Sequence, residues 1–178
     1  MSDVTPAAPR FLPIPMRAPP LALICLLVVA AVSCRRVSTG DTLLPADSAA
    51  IEQAVLACHD QTLAAADALD LDRLVRFVAQ TERGSMISNG RLFLTRDDTI
   101  ANTRQGFQGL RALKYETRER HVTVLSRTAA LLVTTGTTRF TTADGREISA
   151  PYAQTIVFVL QEGRWQVLHL HQSNPRPP

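Results

Sequence analysis

Covalent reinforcement is scarce in this chain of 178 residues, which has three cysteines, Cys25, Cys34 and Cys58. Aromatic residues make up 5%, with one tryptophan and two tyrosines, and Lys114 is the one lysine among 19 basic residues. Scattered arginines and few aromatics do not make the basic, base-stacking stripe of a nucleic-acid binder, so no nucleic-acid partner is expected. The formal net charge of +3 marks no strongly charged surface. No apolar run approaches the roughly 20 residues that cross hydrocarbon as a helix. No motif declares a reaction, and none implies a cofactor.

The longest apolar run present is Leu21 to Val32, twelve residues, closed by Ala31-Val32-Ser33-Cys34. That length falls within the roughly 7–15 apolar residues of an export signal. The closing tetrapeptide resembles the lipobox of bacterial lipoproteins, in which cleavage falls between the residues corresponding to Ser33 and Cys34 and the cysteine sulfur takes a diacylglyceryl group. This resemblance implies a signal peptide over residues 1–33, a mature N-terminus at Cys34, and a membrane partner held through lipid in the cell envelope. Arg35 follows the cysteine rather than an aspartate, which points to the outer membrane of a diderm cell. Residues 1–20 hold six prolines, long and stiff for a leader, and Met16-Arg17 would begin a more ordinary one.

With Cys25 removed and Cys34 lipidated, Cys58 has no cysteine to pair with, and stability has to come from a core. Residues 34–46 hold Ser38, Thr39, Gly40 and Pro45 and read as a flexible tether. From Asp47 or Ser48 as N-cap, Ile51, Val55, Cys58, Thr62, Ala65 and Leu69 recur at helical spacing. Cys58 on that stripe is a small buried residue rather than a reactive thiol. Asp70 or Asp72 caps a second helix carrying Leu71, Leu74, Val75 and Val78. Asn89-Gly90 between Ser85–Ser88 and Arg91–Leu94 signals a type I′ hairpin. Thr95, with Asp98 three residues on, opens a third helix.

Beyond Leu113 the period changes to two. Strands are expected over about 113–125, 129–142, 147–161 and 164–173, joined by tight turns into an antiparallel meander. Helices first and strands after give an α+β domain over residues 47–174, with a tail at 175–178. This order, ending in Trp165-Gln-Val-Leu-His-Leu-His-Gln-Ser173, is similar to the nuclear transport factor 2 like superfamily in its SnoaL-like branch. It resembles the association domain of calcium/calmodulin-dependent protein kinase II, whose last strand also carries Trp followed by His-x-His-x-Ser. The resemblance implies a cone-shaped curved sheet of cystatin-like form with three helices on its concave side, and a homodimer formed through the convex side. Where the kinase domain has a pocket arginine between the last His and Ser, this chain has Gln172, which argues against a carboxylate ligand.

Strict alternation sorts the last strand into two faces, Trp165, Val167, His169, His171 and Ser173 on one and Gln166, Leu168, Leu170 and Gln172 on the other. If the resemblance holds, Leu168, Leu170 and Gln172, with Ile156 and Phe158 of the preceding strand, face the concave pocket. His169, His171, Trp165 and Val157 then mark the convex interface. His169-x-His171 suggests a shared metal, but His59 and His121 are not brought near by any sequence argument, so no metal site is expected and a packing role is favoured. Asp70, Asp72, Asp97, Asp98 and Asp144 read as cap and turn residues, leaving no acid/base pair for the pocket. The expected function is a lipid-anchored, non-catalytic module that binds a small apolar ligand or a protein partner. The alternative is an isomerase or cyclase acting on a small apolar substrate.

Overall fold

The structure is a computed structural model and describes residues 43–174. The leader, Ser33, Cys34, most of the expected tether and the tail lie outside the described residues. Three helices precede and flank a single six-stranded curved sheet: α1 Pro45–Asp67, α2 Leu71–Val75, β1 Ser85–Ser88, β2 Arg91–Phe93, α3 Arg96–Gln108, β3 Leu110–Ser126, β4 Ala129–Thr142, β5 Glu147–Gln161 and β6 Arg164–Ser173. The strand order is β2-β1-β6-β5-β4-β3.

α1 begins two residues before the expected N-cap. Leu44 is the N-cap, without a side-chain hydrogen bond, because Pro45 presets helical φ and has no N–H to satisfy. Asp47 instead sits in the first turn, where its carboxylate opposes the helix dipole and meets Arg127 at 2.9 Å. Asp60 and Asp67, further along α1, reach Arg120 at 2.5 Å and Lys114 at 2.6 Å, so three acids of the helix meet bases from the β3–β4 turn and from β3 in reverse order and lay α1 antiparallel to that strand. Asp67 also accepts the Tyr115 backbone N–H at 2.8 Å. Lys114 and Arg120, at the two ends of the charged stretch of β3, are thus both committed to α1.

The short-range signals form as the residues dictate. Asp70 caps α2 by accepting from the Arg73 N–H, and Thr95 accepts from the Asp98 N–H while its hydroxyl donates to the Asp98 carboxylate. Asn89 and Gly90 both have positive φ, as a type I′ turn requires, and Glu162 and Gly163 repeat the pattern between β5 and β6. The meander is antiparallel throughout, and β1 adds to β6 in parallel, pairing Ser85 with His169 and Ser88 with Gln172.

One face of the sheet carries the core. In β4 Ala130, Leu132, Thr134 and Thr138 are buried, and in β5 Tyr152, Gln154, Ile156 and Phe158 are, a strict period of two. Val55 and Cys58 of α1 pack onto Ala130, Leu132, Ile156 and Phe158, with Val122, Trp165, Val167 and Leu170 at the margin. Gly136 permits one close approach: a Cβ there would meet the Glu116 carbonyl oxygen far inside contact distance and the Tyr152 ring at 2.8 Å. This lets Tyr152 lie across β4 and meet Tyr115 edge-to-face, with ring centroids 5.3 Å apart.

β6 departs from strict alternation. Val157 pairs with His169 but Phe158 pairs with Val167, so Leu168 is an extra residue in a β-bulge. Downstream of it Leu170 and Gln172 share the core face with Ile156 and Gln154, as expected; upstream, Trp165 and Val167 lie on that same core face. Trp165 packs against the core cluster and its carbonyl accepts from the Cys58 thiol at 3.2 Å, which corrects its grouping with His169 and His171. The other edge of β6 shows the cause. There Phe77–Ala79 pair with Val167 and β1 pairs beyond residue 168, so the neighbouring segment is itself interrupted at this point.

Candidate functional site

Between the core face of the sheet and the three helices lies a cavity of about 230 Å³. α1 supplies His59, Thr62, Leu63 and Ala66; α2 and the segment after it supply Leu74, Phe77 and Val78; α3 supplies Thr99, Thr103 and Phe107; and the sheet supplies Met86, Tyr115, Gln154, Ile156, Val167, Leu168, Leu170 and Gln172. No charged side chain is among the lining residues, and its volume lies below the roughly 300–1,000 Å³ of ordinary small-molecule pockets, so an occupant must be small and largely apolar.

Four of the expected pocket residues, Leu168, Leu170, Gln172 and Ile156, line this cavity. Phe158 does not: it is fully buried beneath α1 against Val55 and Cys58, one step further along β5. Of the expected interface residues, His169, His171 and Val157 lie on the opposite, convex face, where His169 Nδ1 and the Ser85 hydroxyl are 2.8 Å apart and His171 is exposed. Among the described residues, no three His, Cys, Asp or Glu side chains converge as metal ligands. Cys58 is buried, and burial pushes its thiol up to about 11, the protonated, unreactive form at neutral pH.

His59, a metal-ligand candidate by residue type alone, is instead a cavity residue. It is 1% exposed, it lines the cavity, and neither ring nitrogen has a hydrogen-bond partner among the described residues. Burial is the largest influence on the imidazole and lowers its pKa to about 4. Arg120 adds to that, while Asp60 and the nearby Gln154 amide oppose it. His59 is therefore neutral at physiological pH, with one N–H donor and one lone pair. A signal for it existed: Val55, His59, Thr62 and Ala66 follow i, i+4, i+7 and i+11, a second stripe beside the one through Cys58.

Gln154, 6% exposed, stands across the sheet wall with its side-chain oxygen also unpartnered. Its Nε2 donates to Gln172 Oε1 at 2.7 Å, and the Tyr115 hydroxyl donates to the same oxygen at 3.5 Å. Burial pushes the Tyr115 hydroxyl up to about 12, so it remains a donor. The cavity thus has largely apolar walls, in which the hydroxyls of Thr62, Thr99 and Thr103 donate to carbonyls of their own helices and Ser85 and Ser88 sit on β1, and a polar cluster made of His59, Gln154, Gln172 and Tyr115.

This geometry is that of a known family. Residues 55–177 match the SnoaL-like domain family, and the chain belongs to it. Solved structures share the fold. The association domain of C. elegans calcium/calmodulin-dependent protein kinase II is 20% identical, with a TM-score of 0.59, over 71% of this chain and 97% of that one. A nuclear transport factor 2 like superfamily protein from Salmonella enterica serovar Typhimurium gives 13% identity and a TM-score of 0.67, over 72% and 94%. A hexachlorocyclohexane dehydrochlorinase of type 2 gives 10% and 0.64, over 73% and 88%. An association domain and a dehydrochlorinase on one fold leave function to be argued from the site. No curated protein sequence matches the chain.

Proposed function

We propose that this chain is a lipid-anchored envelope protein whose SnoaL-like domain binds a small, largely apolar ligand and carries out no acid–base chemistry on it. The observation that carries the binding reading is the cavity itself: apolar walls closed at one end by buried, unpartnered polar atoms of His59 and Gln154. An unpaired buried polar group costs roughly 1–3 kcal/mol, so a ligand that satisfies these atoms gains what the empty cavity lacks. Against catalysis stands the lining, which holds no carboxylate, and a histidine whose pKa of about 4 makes it a weak base at neutral pH. The observation favouring an enzyme is the same His59, a neutral imidazole in an apolar pocket. The two readings separate on turnover, since a binding module returns its ligand unchanged.

Mass spectrometry of small molecules co-purified with the protein should find a compound that is released intact and is lost from His59→Phe. A compound recovered in chemically altered form after incubation with the protein would instead establish the enzyme. The anchor is tested separately. Labelled palmitate should enter the wild-type protein and not Cys34→Ala, and equal labelling of both would rule out attachment at Cys34.

A further inference from the structure

We infer that the polar end of the cavity selects an uncharged hydroxyl group, an alcohol or phenol, over a carbonyl or a carboxylate of the same size. This inference rests on the reading of the domain as a ligand-binding module and assigns the chemistry of its ligand.

Amide oxygen and nitrogen have nearly the same shape, so which of the two a buried Gln presents has to follow from its partners. Here the partners form a chain with a fixed end. The Pro151 carbonyl can only accept, so Asn174 presents Nδ2 to it, at 3.2 Å. Asn174 Oδ1 then faces Gln172, which donates Nε2 at 2.8 Å. Gln172 Oε1 is thereby turned toward Gln154, which donates its own Nε2 at 2.7 Å. What remains is Gln154 Oε1, buried at the cavity wall with no partner. A carbonyl of β5 past the end of its pairing with β6 thus determines, through three amides, that an acceptor is left over at the cavity.

His59 adds one donor and one acceptor, also unpartnered. Gln154 Nε2 and Gln172 Nε2 each already donate one bond, and among the atoms at this end that have no partner at all acceptors outnumber donors, Gln154 Oε1 and one imidazole nitrogen against one imidazole N–H. Even if the imidazole N–H closes onto Gln154 Oε1, the lone pair of its other nitrogen is left, and it too requires a donor. A hydroxyl supplies that proton and can receive the His59 N–H in return. A ketone or ether offers only lone pairs and leaves the surplus unmet. A carboxylate fares worse, since no cation lines the cavity to offset its desolvation.

The test uses three probes with the same number of non-hydrogen atoms, cyclohexanol, cyclohexanone and cyclobutanecarboxylate at pH 7, with benzene as an apolar control, titrated calorimetrically into the full-length protein. Cyclohexanol should bind at least about tenfold tighter than cyclohexanone, the scale of a hydrogen bond retained in an otherwise dry site, and the carboxylate weaker than both. Asn174→Leu, at a residue that does not itself line the cavity, frees the amide chain to turn, so the alcohol-to-ketone ratio should fall toward one while benzene binding is unchanged. Gln154→Leu should collapse the same ratio. Cyclohexanone binding as tightly as cyclohexanol to the wild type, or an unchanged ratio in both variants, would overturn the assignment of a hydroxyl while leaving the binding module intact. No binding of any probe, benzene included, would overturn the binding module itself.

Discussion

His59 is a buried histidine on the cavity wall, and its burial has a consequence for stability. In the unfolded chain an imidazole protonates near pH 6.5, whereas in the fold burial holds it neutral down to about pH 4. Between those values the unfolded state binds the extra proton, so stability falls as pH drops from about 6.5 and stops falling on this account below about 4. Above pH 6.5 both states are neutral and the residue adds no pH dependence. The full difference comes to roughly 3 kcal/mol, at about 1.4 kcal/mol per unit of pKa. Urea unfolding of the wild type and of His59→Leu at pH 7 and pH 4.5 should show that the loss on acidification is smaller in the variant by a large part of that amount. Equal losses would mean that the imidazole is hydrated or paired. The asymmetry between neighbours on α1 is instructive, since Cys58 and His59 are both buried, yet the thiol finds the Trp165 carbonyl and the imidazole finds no partner.

Secondary elements were legible where a local rule sets them. β4, β5 and β6 keep the boundaries that alternation implies, the Asn89-Gly90 hairpin and the Thr95 cap form as their side chains require, and the family resemblance supplied the curved sheet with helices on its concave side. The start of α1 moved to Pro45 because a proline at the first helical position competes with any later cap. Two features had no local signature. The parallel addition of β1 to β6 joins residues some 84 positions apart, and nothing within either segment specifies the other. The bulge at Leu168 shifts the count of faces by one residue, and a period of two cannot reveal an extra member of the series. Leu168, Leu170, Gln172 and Ile156 of the expected pocket residues thus line the cavity, Phe158 lies on the same face but under the helix, and Trp165 lies on the core face rather than beside His169 and His171. His59 is hard to place for a different reason: the stripe through Cys58 already accounts for α1 as an amphipathic helix, and nothing local distinguishes the adjoining stripe through His59 as a cavity wall.

At the scale of the whole molecule, the two faces of the sheet differ in what covers them. The concave face has the helices, whereas on the convex face the segment after α2 covers Gln166, and Val157 lies beside Leu131 on β4 and His169 on β6, with Val133 42% exposed nearby and Leu92 58% exposed on β2. A sheet with apolar residues on both faces gains from burying the second against another subunit, and contiguous exposed apolar surface is uncommon on monomers. The expected occupant is a second copy of the chain, with His169 and His171 beside the contact. A fragment beginning at Leu43 should therefore be a dimer by light scattering at micromolar concentration. Val157→Asp should convert it to a monomer with an unchanged circular dichroism spectrum. The carboxylate would meet solvent in the monomer but an apolar, unpaired surrounding in the dimer, a difference of several kcal/mol and hence at least about a hundredfold in dissociation constant. A monomeric wild-type fragment, or a Val157→Asp variant that stays dimeric, would place the contact elsewhere. Loss of the folded spectrum in the variant would show that Val157 is packed within the subunit rather than between subunits, and the convex face would then have to be explained without a partner.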